Sequence, residues 1–395
     1  SGLSLEQLNP KKISHFLARA DLPPDSATNA LEKLDLLRQG APINAAKLFF
    51  ADAPIQLRCA VFATNTSSTI IDRHDFDGDI LELIEEAEKY ILKNIHIGMR
   101  LEGLYRVDVP EMSMDALREA INNALVHRDY ARRGPVRVCW QKNDLIISNP
   151  GGFVEGVSLA NLLTTEPRPR NPALADAFKR LGLVDRTGRG VDMIYTSMLR
   201  FGRPAPDYSQ SMVDLVKLSI STEPADLAFV RMVLQEEARQ KSALPVETLL
   251  VLTALREARR LSAADIAIQL QCDPASASKM IEPLAEIGLI QAHGTGRGRQ
   301  YTLSPQIYRS LGQSKEYARQ AGFDDLQQIE LIRNYVRQEG RIKREDVANL
   351  CRLTLRQATH RLTLMVKAGQ LVLHGANRGA YYTFPVVDTV QKTNN

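Results

Sequence analysis

The sequence predicts an α+β protein, and three observations predict it. Amphipathic helical spacing alternates with short runs that read as antiparallel strands, glycine turns follow one strand and precede one helix, and the C-terminal third repeats a layout of three helices and a hairpin. At 395 residues the chain has room for two to four domains with cores of their own. Hydrophobic residues make up 44% and charged residues 24%, which is ordinary for a globular protein and leaves no long disordered stretch outside the termini. A net charge of +4 permits a nucleic-acid partner without demanding one, so the placement of the basic residues decides. Cys59, Cys139, Cys272 and Cys351 are far apart and lack C-x-x-C spacing, which argues against a zinc ribbon and for a reducing compartment. With no apolar run of about 18 residues and no signal-peptide layout, the expected location is the cytoplasm, with no membrane partner. The start at Ser1-Gly2 reads as a trimmed end, so an upstream domain is expected to be missing.

Residues 1–50 carry helical patterns over Pro10 to Ala20 and Asp25 to Leu37, broken by Leu22-Pro-Pro-Asp25, and read as a small helical segment or the tail of an absent domain. Ile55 to Ala63 is strand-like, and Asp79 to Asn94 has amphipathic helical spacing. Between them Asp75-Phe-Asp-Gly-Asp79 invites a calcium reading, but an EF-hand loop needs Gly at its sixth position and Gly78 is fourth. It reads instead as a turn with a helix cap. Ser113 is a plausible N-cap for the next helix. Val136 to Trp140 and Asp144 to Ser148 form a hairpin over Gln141-Lys-Asn143, and Asn149-Pro-Gly-Gly152 stops its second strand. Asn171-Pro172 reads as N-cap plus first-turn proline, with Gly182 closing that helix. Thr187-Gly-Arg-Gly190 leads into a helix over Val191 to Phe201, and Met212 to Ile220 into a closing strand. Thr222 to Leu244 is a charged, partly helical connector.

The stretch Glu119 to His127 carries the chemistry. Glu119, Asn123 and His127 recur every four residues, so they share one face of a helix whose other face holds Leu117, Ile121 and Leu125. A solvated face is one explanation of that stripe; a nucleotide-metal site is the other. Such a site needs a carboxylate to orient water and an amide oxygen for Mg²⁺, which Glu119 and Asn123 can supply. It also needs close backbone at the nucleotide, for which Gly151-Gly152 and Gly188-Arg189-Gly190 qualify, the latter at a helix N-terminus that favours phosphate.

Together and in this order the motifs resemble the GHKL (Bergerat-fold) ATPases. Glu119 to Asn123 is similar to the N box, and Asn149-Pro-Gly-Gly152 and Thr187-Gly-Arg-Gly190 to the two glycine boxes. Asn122-Asn-Ala-Leu-Val-His-Arg-Asp-Tyr130, Ile147-Ser-Asn-Pro-Gly-Gly152, Pro169-Arg-Asn-Pro172 and Leu181-Gly-Leu-Val184 bring the resemblance closer to RecG-related and Schlafen AlbA-type transcriptional regulators, over roughly residues 40–220. The resemblance implies a GHKL-like α/β sandwich, with Glu119 as general base and Asn123 as Mg²⁺ ligand. It further implies Asn122, His127, Asn149, Gly151, Gly152, Gly188, Arg189 and Gly190 as contacts of ATP. One departure matters: Asn149 stands where these ATPases carry an Asp that accepts a hydrogen bond from the adenine amino group, so a charged acceptor is lost. No G-x-x-x-x-G-K-[ST] loop is present, which excludes P-loop helicase chemistry.

Beyond the connector the first unit has helices over Val246 to Arg259, Ser262 to Leu270 and Asp273 to Ile287, then Leu289-Ile290, the loop Gly294 to Arg299 and a strand over Gln300 to Leu303. The second has helices over Leu326 to Glu339, Lys343 to Leu350 and Thr354 to Ala368, then Leu371 to His374, the loop Gly375 to Gly379 and a strand over Ala380 to Phe384. This layout predicts tandem winged helix-turn-helix modules, whose third helices enter a major groove. The DNA-facing candidates are Ser276, Ser278, Lys279, Arg297 and Arg299 in the first, and Arg352, Arg356, Gln357, His360, Arg361 and Arg378 in the second. From Gln313 to Phe384 twelve Lys or Arg face seven Asp or Glu, which makes the second the better DNA candidate; protein docking stays open for either. His15, His74, His96, His293 and His374 show no metal-ligand spacing.

The expected organisation is a helical segment over 1–50, an ATP-binding domain over 51–222, a connector over 223–244 and winged modules over 245–312 and 313–388. The expected function is an ATP- and DNA-binding transcriptional regulator that binds double-stranded DNA as a homo-oligomer, a dimer for a palindromic site. A DNA-stimulated ATPase in repair or phage defence, and a nucleotide-dead oligomerisation scaffold, are the alternatives.

Overall fold

The computed structural model describes residues 4–52, 55–64, 69–94, 97–102, 105–110, 113–184, 190–294, 296–311, 328–351, 353–375 and 380–385. The architecture is mixed α+β. Two compact units make it up: Ser1–Thr253 with Leu270–Cys272, and Ala254–Gln269 with Asp273–Asn395.

The first unit opens with α1 (Pro10–Arg19), α2 (Ala27–Lys33), the short hairpin β1 (Leu37–Arg38) and β2 (Ala41–Pro42), and α3 (Asn44–Phe50). The Asn9 side chain accepts from the Lys11 amide and Pro10 sits in the first turn, which starts α1 where its apolar stripe begins. Phe16 meets Phe49 and Phe50 edge-on at 5.2 and 5.4 Å, and Phe49 reaches Phe178 at 6.1 Å. The opening segment therefore packs into the same unit as the sheet. The hairpin and α3 go beyond the sequence expectation, because both are too short to show a period.

Next come β3 (Ile55–Phe62), β4 (Ile70–Gly78), α4 (Ile80–Asn94), the hairpin β5 (Ile97–Glu102) and β6 (Tyr105–Pro110), and α5 (Met114–Val126). They are followed by β7 (Val136–Trp140), β8 (Asp144–Pro150), α6 (Pro172–Arg180), α7 (Gly190–Leu199), β9 (Leu215–Ser221) and α8 (Leu227–Gln240). The five-stranded sheet runs β4-β3-β7-β8-β9, antiparallel at every pair except the parallel β3/β7. Leu57, Cys59, Val136, Val138, Leu145, Ile147, Leu218 and Ile220 alternate onto its buried face. Asp75, Phe76, Asp77 and Gly78 lie in β4 and not in the predicted turn; only the cap matches, since Asp79 Oδ1 accepts from the amides of Leu81 (2.9 Å) and Glu82 (3.0 Å). The closing strand starts at Leu215 rather than Met212, because Met212 and Leu215 close a tight turn through their own backbone groups.

The remaining elements are α9 (Val246–Ala258), β10 (Leu261–Ser262), α10 (Ala263–Gln269), α11 (Pro274–Glu286), β11 (Ile290–His293), β12 (Gln300–Leu303) and α12 (Pro305–Ser310). After them come α13 (328–339), α14 (Arg344–Leu350), α15 (Leu355–Lys367), β13 (Val372–His374) and β14 (Tyr381–Thr383). The expected layout of three helices and a hairpin occurs twice, and the copies keep one register: each position of the second lies 81 residues after its counterpart, as 293 to 374 and 302 to 383. Leu261 pairs with Tyr301 and Ile342 with Tyr382. His293 shares a 2.9 Å hydrogen bond with Thr302, as does His374 with Thr383. Ala277, Ile281, Ala358 and Leu362 are fully buried. Among the described residues no helix is long and apolar enough to cross a membrane.

Candidate functional site

Helix α5 is nucleated by Ser113, whose hydroxyl accepts from the Ala116 amide at 3.4 Å. It is covered on nearly every side. Glu119 is 5% exposed and Asn122 0%, while Asn123 and His127 are half-buried. The polar stripe is thus no solvated face; burying a carboxylate here requires partners. The start of α7 lies against it, since a Cβ built on Gly190 would come 1.9 Å from Glu119 Oε1. Only glycine fits, and it places the positive end of the α7 dipole beside the carboxylate. Tyr208 lies close enough to feel the Glu119 charge, and burial pushes its phenol well above the usual range.

Asn122 points elsewhere. Its Nδ2 donates to the carbonyl of Leu183, while its buried Oδ1 has no partner among the described residues. It anchors the 181–184 turn that leads towards the second glycine loop. Gly188 and Arg189 lie outside the described residues, and Gly190 opens α7.

The first glycine turn closes β8. Asn149 is buried at 3% exposure, with Nδ2 donating to the Pro150 carbonyl at 3.4 Å. Gly151 has φ +97°, and a Cβ there would come 2.7 Å from Cβ of Asp129. A Cβ on Gly152 would lie 2.3 Å from the Val213 carbonyl oxygen. Positive φ and the approach of Asp129 therefore explain Gly151, and close backbone approach explains Gly152.

Two residues that sequence reasoning gave no site role tie this turn to α5. Arg170 donates from Nε to the His127 carbonyl (3.0 Å) and from Nη2 to that of Gly152 (2.7 Å). Asn171 does not cap α6 with its side chain as expected; its Nδ2 donates to the carbonyls of Val126 (2.7 Å) and Arg128 (2.9 Å), the free acceptors at the end of α5. The signal was the polar pair held between Pro169 and Pro172. Burial, followed by the Arg170 guanidinium, pushes His127 down to about 4, so its imidazole is neutral at physiological pH.

A buried carboxylate and an amide one helical turn apart, two glycine approaches and a helix N-terminus are hard-oxygen and N–H groups of the kind that suits a Mg²⁺-nucleotide.

The basic candidates separate by copy. In α11, Lys279 is exposed, Ser276 donates to the capping Asp273 at 2.5 Å, Ser278 donates to the Pro274 carbonyl, and Arg299 is held by Glu282 at 2.6 Å. In α15, Arg356, Gln357 and His360 are exposed and Arg361 is half-buried. Gln357 accepts from the Thr354 amide at 3.0 Å and so serves as a capping residue. Arg352, Arg378 and the side chain of Arg297 lie outside the described residues.

Residues 134–217 match the protein family described as "Putative ATP-dependent DNA helicase recG C-terminal". The comparison supports a GHKL-like ATP-binding region. The matched span contains Asn149, Gly151 and Gly152, the sequence Gly188-Arg189-Gly190, and α7. The crystal structure of the DIP2311 protein from Corynebacterium diphtheriae is similar, with a TM-score of 0.67 and 25% identity over 79% of this chain and 64% of that one. The chain thus spans less than two thirds of that protein's length. No curated protein matches the chain.

Proposed function

We propose that the chain is a nucleotide-responsive DNA-binding regulator, in which a GHKL-like domain over 51–222 binds Mg·ATP and biases DNA binding by winged helix-turn-helix modules over 245–312 and 313–388. The observation that carries the reading is Glu119 seated against Gly190 at the start of α7, with Asn123 one turn further along α5. In this reading the Asn123 amide oxygen holds Mg²⁺, Glu119 orients the attacking water as general base, and the N-terminus of α7 beside Glu119 offers N–H groups and its dipole to the phosphates. When bound, Mg·ATP supplies the phosphoryl group and the metal charge that polarises it. Arg170 and Asn171 fix the relation of α5 to the first glycine turn and so preorganise the two walls. Asn149 in place of an Asp offers the adenine amino group a neutral amide oxygen instead of a carboxylate, so nucleotide affinity or selectivity below that of an Asp-bearing site is expected. The second module supplies the DNA reader, because α15 carries Arg356, Arg361 and Lys367 with no acidic residue. Double-stranded DNA as partner, a dimeric state matching a palindromic site, transcriptional control and a cytoplasmic location belong to the same reading.

The test is calorimetric titration of Mg·ATP into the chain and into Asn123→Ala. Saturable binding that the substitution abolishes is the expected result. Absence of heat and of any thermal shift in the parent would sink the nucleotide reading and leave a DNA-binding scaffold. The retained Glu119 carboxylate favours a second reading, a DNA-stimulated ATPase; turnover that rises with duplex and disappears in Glu119→Ala would establish it.

A further inference from the structure

The face of the five-stranded sheet opposite its buried core carries an ordered row of charge. Arg58 on β3 pairs in register with Asp75 on β4 and with Arg137 on β7; Arg137 pairs with Ser148 on β8, and Ser148 with Lys217 on β9. Directly paired residues share a face, so Asp75, Arg58, Arg137, Ser148 and Lys217 cross the whole sheet in one line. Arg137 is exposed and has no ion-pair partner among the described residues, and the Arg58 side chain is 41% exposed. Asp75 sits at the edge and is shared between Arg73 at 2.7 Å and Arg58 at 3.5 Å, so it offsets only that end. Lys217 is held towards the Gln210 side-chain oxygen at 2.5 Å, a neutral partner that leaves its charge in place. The remaining acids of the face are peripheral: Asp77 is paired with Gln56 at the bottom of β3, Asp144 with Ser221 at the end of β9, and Asp207 is occupied by Ser209. Burial raises the Cys139 thiol, and Arg137 and Lys217 both lie near enough to act against that rise.

We infer that this sheet face is a second, sequence-independent contact for the phosphate backbone of double-stranded DNA, separate from the third helices of the duplicated units. From Arg58 to Lys217 the row spans three strand spacings of about 4.8 Å, or about 14 Å. One phosphate per about 3.4 Å of axis on each DNA strand places about four phosphates along that length, enough for each of the three cations to meet one. Arginine suits the task, since its planar fork donates two hydrogen bonds to one phosphate. The row itself carries no aromatic side chain, and Phe62, which shares its face by strand alternation, lies four residues beyond Arg58 at the end of β3, so no stacking platform for single-stranded bases stands within the row. A row of cations without ring or base-edge readers contacts backbone and carries no sequence information.

The test is fluorescence anisotropy of the full chain with a random-sequence 20-base-pair duplex across a salt series, comparing the parent with Arg58→Gln/Arg137→Gln/Lys217→Gln. Removing one cation from a phosphate lowers the slope of log K against log salt by about 0.9, so the triple variant is expected to lose about two to three units of slope. Arg137→Lys keeps the charge and is expected to keep the slope. An unchanged slope in a triple variant that melts like the parent overturns the inference, as does a parent that binds no duplex at low salt. A polyglutamate peptide that binds as tightly as the duplex and is lost equally in the triple variant overturns it too, by assigning the face to an acidic protein. Arg356→Ala/Arg361→Ala serves as the independent arm: if it changes nothing while the triple variant does, the reader assigned to α15 fails and the sheet contact stands.

Discussion

The two copies of the three-helix unit share a backbone register and differ in what their third helices present. Positions 81 residues apart keep the same job where the job is structural: Asp273 and Thr354 cap, Ala277 and Ala358 and then Ile281 and Leu362 fill the core, and Gly288 and Gly369 end the helix with positive φ. The exposed faces diverge. Helix α11 carries Lys279 with Glu282 and Glu286, and Glu282 takes up Arg299 from just before β12; helix α15 carries Arg356, Arg361 and Lys367 with no acid. Packing constrains every core position of both copies alike, whereas charge on an exposed face contributes little to folding and is free to follow the partner.

The largest expected effect would break the structural half of this comparison. Ile281→Ala and Leu362→Ala each remove a fully buried side chain from equivalent places, so each costs its unit about 2–5 kcal/mol. Hydrogen exchange read separately in α11 and α15 measures both. Costs that agree to within about 1 kcal/mol support equivalent packing; a much larger gap shows that the shared register hides different cores.

The functional half is sharpened by charge. Arg356→Ala/Arg361→Ala is expected to weaken duplex binding about thirtyfold or more, given about 1–3 kcal/mol for each arginine that contacts DNA. Lys279→Ala in the first copy is expected to change it less than twofold, because α11 carries one lysine with two glutamates and so lacks the positive charge of α15. Equal losses in the two copies, measured by anisotropy at fixed salt, would show that the acidic residues of α11 do not decide the matter.

The sequence revealed the copies because their helices are long enough for a period to show and begin at recognisable caps. It concealed β10, whose two residues carry no period, and the bridge from Ile342 to Tyr382, which only the third dimension supplies. It concealed β4 for a different reason. That strand lies at the sheet edge, where six of its nine residues are exposed and charge is favoured, so Asp75-Phe-Asp-Gly78 imitates a turn. At the candidate site the order of the motifs and the Glu119 stripe were legible. The burial of Glu119 was not, since it depends on Gly190 arriving from 71 positions away, and neither were the bonds of Arg170 and Asn171, which reach backbone carbonyls that carry no side-chain signature. The row of Arg58, Arg137 and Lys217 was invisible for the same reason, as only strand pairing sets those residues side by side.

The smallest expected effect separates the copies within their hairpins. His293 and His374 make the same 2.9 Å hydrogen bond, to Thr302 and Thr383, so replacing either by Ala loses about 1 kcal/mol on that account. His374 also stacks on Tyr381, with ring centroids 5.1 Å apart and planes 15° from parallel, and Arg341 lies 5.6 Å from the same ring. The counterpart of Tyr381 in the first copy is Gln300, which offers no ring. His374→Ala is therefore expected to cost about 0.5–1.5 kcal/mol more than His293→Ala. In a Tyr381→Gln background the two substitutions should cost the same. If the difference survives Tyr381→Gln, the stack is not its source and the hairpins differ in some other way; if it vanishes, the extra rigidity of the second hairpin belongs to one aromatic residue in the copy whose third helix carries the positive charge.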